Sequence, residues 1–303
     1  MRNVRRRALV TLLVALPLAA IGAYAWHAGP FSLRYIADTR SFLFALKQGG
    51  HAPGVSWPAL ARRMGPRWMQ TDEPTFVRAS NAGDAPCPVL WQTPLGAFWG
   101  AREDGRVLDH LMMEELGGRI YDRAPAGLAS GDIVIDVGAH LGTFTRYALL
   151  RGASLVIAVE PMPAIADCLE RTFADEIAAG RVIVARAAAW RENRQLTFLA
   201  GSQSTTGRVA DGPSALQVRG ATLDTIAEEA GVSRVDFIKM DIEGAEMEAL
   251  AGAAGLLRTH SPRMAICIYH EPGHARDVPA LVAATQPAYT VFYRTAFQAY
   301  FHR

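Results

Sequence analysis

Ile133-Val-Ile-Asp-Val-Gly-Ala-His-Leu-Gly-Thr-Phe-Thr145 runs from a short apolar stretch through a glycine-bearing turn into a helical pattern that continues to Leu150. A β-branched run of that length reads as a buried strand. The strand–turn–helix order opens an alternation that governs the rest of the chain. Apolar runs at 155–159, 181–185, 235–240 and 264–269 predict four more strands, and the spacing predicts helices over 163–179, 221–230, 244–257 and 278–285. Pro163 falls near the first turn of its helix, where a missing N–H costs nothing. Two last runs, 289–293 and 297–301, stand too close together for a crossover helix, so they pair antiparallel. The pattern describes an α/β chain: a doubly wound, mostly parallel sheet with helices on both faces and a C-terminal antiparallel hairpin.

Upstream, 88–99 reads as two short strands around a turn. Residues 104–121 read as a helix, with Val107, Leu108, Leu111, Met112, Leu116 and Ile120 at helical spacing. Before that, Pro, Gly, Arg and Trp mix without periodicity to about Asn81, with a helix predicted over 31–47. The polar segment holding Gly201, Gly207 and Gly212 reads as a hairpin or a mobile loop. The expected organisation is an anchor or signal segment over 1–26, a linker over 27–89, an extension of hairpin plus helix over 90–130, and the main domain over 131–303.

Arg2, Arg5, Arg6 and Arg7 precede an uncharged, almost wholly apolar stretch from Ala8 to Trp26. As an N-terminal hydrophobic helix that stretch is long enough to span a bilayer. An uncleaved membrane anchor fits its length, and a signal peptide fits the small-x-small pattern of Ala23-Tyr24-Ala25. The arginines favour a cytoplasmic N-terminus and export of the chain beyond Trp26.

A net charge of +2 with no Lys/Arg-rich block in the folded part gives no footprint for nucleic acid. Cys87, Cys168 and Cys267 are odd in number and widely spaced. Neither a disulfide framework nor a structural zinc site is expected from them, and Cys168 and Cys267 read as small core residues. No metal ligands are assigned.

Ligands of doubly wound sheets bind outside the carboxyl ends of the strands. The turn Gly138-Ala139-His140-Leu-Gly142 lies there, and glycine lets the backbone approach a ligand where a side chain would collide. His140 stands where a dinucleotide fingerprint needs its middle glycine, which argues against NAD or FAD. Glu160, followed by Pro161, ends the second strand, where an acid can accept hydrogen bonds from two ribose hydroxyls. Asp136 is a candidate to meet a ligand's ammonium. Lys239 and three carboxylates, Asp241, Glu243 and Glu246, crowd the end of the fourth strand and the start of the next helix. They either cap that helix or, for Lys239 and Asp241 at the strand end, orient a substrate hydroxyl, a cation or a proton. His270 follows the fifth strand and is a candidate base near neutral pH. His140 and His274 are weaker candidates for that role.

Four of these segments together resemble a known family. Asp-Val-Gly-Ala-His-Leu-Gly-Thr-Phe-Thr (136–145), Val-Glu-Pro (159–161), Thr-Leu-Asp (222–224) and Lys-Met-Asp-Ile-Glu-Gly-Ala-Glu (239–246) resemble the FkbM-type S-adenosylmethionine-dependent methyltransferases. Residues 91–96 and 113–121 are similar to the segment that precedes that family's catalytic domain. The D-x-E-G-x-E element is the most specific part; His140 departs from the asparagine common there. The resemblance implies a Rossmann-like methyltransferase sheet and S-adenosylmethionine as the methyl donor. That donor is made in the cytosol, so a cytoplasmic catalytic domain is expected from its supply where the N-terminal arginines suggest the opposite. A start site placed too far upstream would remove the conflict. It places the donor along Asp136–Gly142 and Glu160-Pro161, with adenine near Ala187 and Ala188. The implied acceptor is a hydroxyl of a glycan, polyketide or other small metabolite. Two other readings compete. A nicotinamide-dependent oxidoreductase is disfavoured by His140 and the terminal hairpin. An inactive membrane-tethered scaffold is disfavoured by the intact set Asp136, Gly138, Glu160 and Asp241.

Overall fold

The computed structural model describes residues 78–82, 86–199, 208–209, 215–293 and 297–303. The apolar stretch 8–26 and the helix expected over 31–47 lie outside the described residues. Among the described residues, no helix is long and apolar enough to cross a membrane.

The central sheet has seven strands: β4 (Ile133–Val137), β5 (Leu155–Val159), β6 (Val182–Ala185), β11 (Phe237–Met240), β12 (Arg263–Cys267), β13 (Thr290–Tyr293) and β14 (Gln298–His302). Their order is β13-β14-β12-β11-β4-β5-β6. All neighbours run parallel except β14, which is antiparallel to both β12 and β13, as expected for the closing hairpin. Side chains alternate between two apolar layers because a strand has period two. Val134, Val156, Phe237 and Cys267 join Phe144 and Tyr147 on one face. Ile135, Ile157, Ile238 and Ile266 join Leu223, Leu250 and Val278 on the other. Burial on both faces is why these strands read as unbroken apolar runs.

The connecting helices are α2 (Thr143–Leu150), α3 (Pro163–Thr172), α4 (Ala174–Ala178), α5 (Leu223–Glu229), α6 (Glu246–Ala251), α7 (Ala254–Thr259) and α8 (His274–Thr285). Two helices expected to be continuous are broken. The one over 163–179 divides at Phe173, and the one over 244–257 divides at Gly252, where an added Cβ would lie 2.0 Å from the Trp190 carbonyl oxygen. That close approach requires glycine at the break. The last helix begins at His274, four residues earlier than its apolar pattern.

The segment before β4 departs further from expectation. Strand β1 (Arg78–Ala82) pairs with β2 (Val89–Thr93), and β2 with β3 (Gly96–Gly100), giving a three-stranded antiparallel sheet where the first strand's region had read as linker. The expected helix over 104–121 is α1 (Gly105–Met112) followed by one π-helical turn (Met113–Gly118). Arg119 ends it in the left-handed region at φ 47°, so Ile120 and Tyr121 leave the helix. After β6, β8 (Arg194–Leu199) and β10 (Ala215–Ala221) pair antiparallel, while Gly201, Gly207 and Gly212 lie outside the described residues. With β7 (Ala188–Ala189) and β9 (Arg208–Val209) they make a small separate sheet.

The cysteine reading is corrected. Cys87 and Cys168 form a disulfide across a sequence separation of 81. Spacing could not disclose it, because the pairing depends on β3 packing against α3. The Trp99 N–H donates to Thr172 Oγ1 at 2.9 Å, and the Arg171 guanidinium lies 3.5 Å from the centre of the Trp99 ring. Cys267 is free and fully buried, as expected.

Candidate active site

Going outward from β4, the chain steps to β5 and β6 on one side and to β11 and β12 on the other. The crevice outside the carboxyl ends of β4 and β11 is therefore the switch point at which such sheets bind ligands. Lys239, Asp241, Asp136 and the glycine turn meet there.

Asp136 is fully buried. Its Oδ1 lies 3.1 Å from Lys239 Nζ, and its Oδ2 accepts the Thr145 hydroxyl at 2.7 Å. Within the chain, the ammonium beside Asp136 is that of Lys239. Lys239 also donates to the Gly138 carbonyl at 2.7 Å, tying β11 to the turn. Burial works to lower the Lys239 ammonium, but Asp136 and Asp241 outweigh it and hold it above its usual value.

Gly138, His140 and Gly142 all have positive φ, at 78°, 51° and 87°. A Cβ on Gly138 would lie 2.1 Å from the Asp241 carbonyl oxygen, and one on Gly142 would lie 2.3 Å from the Phe173 ring. Both glycines are required by the packing of the protein against itself, before any ligand is considered. Ala139 is buried, and its N–H shares the Val159 carbonyl with that of Gly138. Burial, with Lys239 nearby, pushes the His140 imidazole down to about 4.

The same turn holds Glu160. The His140 N–H donates to its Oε2 at 3.0 Å and the Met162 N–H to its Oε1 at 2.9 Å. Pro161 lies between Glu160 and that second donor. Burial pushes the carboxyl up to about 7, in spite of the two backbone donors. At the end of β6, Ala187 is buried in the core and Ala188 packs in the small sheet. Arg186 beside them forks onto Asp167 and Glu170 of α3.

The acidic cluster after β11 is arranged differently from a helix cap. Glu243 and Gly244 take positive φ, 54° and 105°, and form a turn, so α6 begins only at Glu246. Asp241 accepts the Tyr121 hydroxyl on Oδ2 at 2.6 Å, and its Oδ1 stands 3.3 Å from His270 Nε2. The Asp241 side chain keeps 25% of its surface exposed, whereas those of His270 and Glu246 keep 6% and none. Asp241 is therefore the carboxylate that can touch a ligand.

His270 is held through one ring nitrogen, its Nδ1 lying 2.7 Å from Glu246 Oε1. Burial would lower this imidazole, but Glu246 and Asp241 outweigh it and raise it to about 9. The histidine expected as a base near neutral pH thus lies between two carboxylates, Glu246 and Asp241. Glu246 goes the other way: burial raises it, and His270 and His274 more than offset that, bringing it down to about 2.

Two residues not singled out in the sequence, Tyr121 and Glu115, stand at the site, and Glu246, one of the three crowded carboxylates, takes a role there that its position did not disclose. Tyr121 orients Asp241, Glu246 orients His270, and Glu115 is a buried carboxyl within electrostatic reach of Lys239, Asp136 and Asp241. Their only sequence signal was membership of the 113–121 and 239–246 segments; nothing in the spacing showed that these two face each other.

Residues 136–289, about half the chain, match the model of the methyltransferase FkbM domain. No curated protein sequence matches the chain. Solved structures of similar fold include a methyltransferase FkbM from Methylobacillus flagellatus KT. It is 20% identical with a TM-score of 0.47, covering 67% of this chain and 56% of that one. This chain thus spans little more than half of that relative's length. A SAM-dependent methyltransferase from Aquifex aeolicus is 16% identical with a TM-score of 0.38, covering 65% and 95%. SMU.1697c, a putative methyltransferase from Streptococcus mutans solved with SAH, is 12% identical with a TM-score of 0.36, covering 57% and 89%. By the match over its switch-point strands and helices, this chain belongs to the FkbM methyltransferase family.

Proposed function

We propose that the chain is an S-adenosylmethionine-dependent O-methyltransferase acting on a hydroxyl of a glycan, polyketide or other small metabolite. The observation that carries this reading is Glu160. An ionised carboxylate has about four lone-pair sites. Two of them take the His140 and Met162 N–H groups, which fix the plane of the carboxylate at the switch point. The two left match the adjacent hydroxyls of a ribose, so the residues present fit the donor's nucleoside. Ala187 and Ala188 border the adenine by this reading, and the 138–142 turn runs beside the rest of the donor.

When bound, S-adenosylmethionine supplies a sulfonium-activated methyl: the O–C bond forms as the C–S bond breaks, and S-adenosylhomocysteine leaves with the sulfur electron pair. The protein's part is orientation, which supplies much of the rate when the leaving group is already activated. Asp241, locked by Tyr121 and partly open to the crevice, meets the acceptor hydroxyl and draws off its proton. Lys239 keeps Asp136 neutralised and ties β11 to the glycine turn, so the two halves of the site hold one register. Glu243, in the turn after Asp241, borders the acceptor side.

Calorimetric titration of the full chain with S-adenosylmethionine and S-adenosylhomocysteine tests the reading, with NAD as the control. Micromolar binding that falls at least about tenfold in Glu160→Ala is expected, the loss of charge-assisted hydrogen bonds being of that order. A folded sample that binds neither ligand sinks the proposal and leaves a non-catalytic binding protein as the reading.

A further inference from the structure

The methyl donor, as placed above, leaves one group at the ends of β11 and β12 without a task. His270 Nε2 is buried and finds no hydrogen-bond partner among the described residues. Its neighbour Asp241 Oδ1, at 3.3 Å, lies beyond the usual N–H···O range. Two ligands sharing one cation at about 2.0–2.2 Å stand about 3.0–3.5 Å apart, which is this separation.

We propose that Asp241 Oδ1 and His270 Nε2 bind a first-row divalent cation. The rest of the cluster is built as the support of such a pair. A ligating histidine almost always hands its other ring nitrogen to a carboxylate or carbonyl, which fixes ring orientation. Glu246 Oε1, 2.7 Å from His270 Nδ1, is that carboxylate. Glu246 is itself held by the Ile242 N–H at 3.2 Å and faced by His274 Nδ1 at 3.3 Å. Tyr121 occupies Asp241 Oδ2 and leaves Oδ1 for the ion. Atoms of Asp241, Glu246 and His270 lie within 4.8 Å of one another, so Glu246 is near enough to become a third ligand by rotating.

Imidazole with carboxylate suits manganese, iron or zinc better than the all-oxygen ions. Remaining coordination positions face the crevice beside the exposed edge of Asp241. There the acceptor hydroxyl would bind and lose its proton more readily. That role rests on the methyltransferase reading; the binding of the ion does not.

The test is calorimetric titration of the full, chelator-stripped chain with manganese(II) and, separately, zinc(II), with S-adenosylhomocysteine titrated into the same sample. One ion per chain is expected, weakened at least about tenfold in Asp241→Asn and in His270→Gln, and about 10–100-fold in Glu246→Gln. Manganese-induced broadening of the His270 ring resonances in the unmutated chain gives a readout that does not depend on a variant folding. A sample that binds S-adenosylhomocysteine but no ion, with sharp His270 resonances, overturns the proposal and leaves an imidazolium between two carboxylates. Ion binding undiminished in both ligand variants overturns it too. A sample that binds the ion but not S-adenosylhomocysteine supports the cation site and removes the donor reading instead.

Discussion

The Tyr121 hydroxyl donates to Asp241 Oδ2 at 2.6 Å, joining two residues 120 positions apart. Tyr121 reaches that point because the π-helical turn ends at Arg119 and releases the chain toward the sheet. Its ring is buried against Phe144, with ring centres 5.6 Å apart, and Lys239 Nζ lies 5.4 Å from its centre. The hydroxyl thereby sets which edge of the Asp241 carboxylate faces the crevice.

Tyr121→Phe keeps the ring and deletes the bond. It is expected to lower stability by about 1–2 kcal/mol, the cost of leaving one end of a part-buried bond unpaired. Affinity for S-adenosylhomocysteine is expected to be unchanged while methyl transfer slows. Denaturant midpoints and calorimetry on the two proteins check both halves.

Glu160 predicts opposite pH dependences for binding and for stability. On the proposed reading the donor's ribose needs the carboxylate form, and burial places that ionisation at about 7. Affinity for S-adenosylhomocysteine is expected to fall below pH 7, by up to about tenfold per unit. An acid whose folded value lies above its unfolded value favours the folded state at low pH. Its contribution is therefore lost as pH rises from the ordinary glutamate value of 4.5 through about 7, an effect of about 3 kcal/mol. Titrations and denaturant curves between about pH 5.5 and 8.5, compared with Glu160→Gln, test both signs. A flat affinity profile would detach Glu160 from the ligand.

Lys239→Met should be among the most damaging single changes. It strands Asp136, which has no exposed surface, beside Thr145 alone. Breaking one partner of a buried pair costs about 3–5 kcal/mol, whereas replacing both can be close to neutral. Adding Asp136→Asn to Lys239→Met is therefore expected to recover much of the lost stability. A double variant no more stable than the single one would show that Lys239 acts mainly through the Gly138 carbonyl.

Reducing the Cys87–Cys168 disulfide should destabilise the β1–β3 sheet against α3 without unfolding the central sheet. A closed loop of this length is worth about 2–5 kcal/mol in the unfolded-chain picture. Thermal unfolding with and without reductant measures it, and the Cys87→Ser/Cys168→Ser protein should match the reduced sample. Disulfides persist in oxidising compartments. Thiol labelling of the chain isolated from its own cells should find only Cys267 free.

The sheet was legible because its strands are buried on both faces: Ile133–Val137, Leu155–Val159 and Phe237–Met240 announce themselves as apolar runs, and the short link before Gln298–His302 forces an antiparallel pair. The glycine turn was legible too, but for another reason than the one read from it. Gly138 and Gly142 answer contacts with Asp241 and Phe173. A glycine in a sequence shows that something comes close; it does not show what.

The sequence by itself determined the fold class and the strand ends at which the site lies, because hydrophobic period and turn residues are local properties of the chain. Tertiary structure decided the partners. Asp136 faces Lys239, His270 stands between Asp241 and Glu246, Tyr121 holds Asp241, and Cys87 finds Cys168. Each pairing depends on which strands and helices are neighbours, and a residue's own periodicity carries no record of that. For the same reason the electrostatics of the site could not be read in advance: His270 is raised to about 9 by carboxylates 24 and 29 positions away in the chain (270 − 246 and 270 − 241), brought to it by the fold.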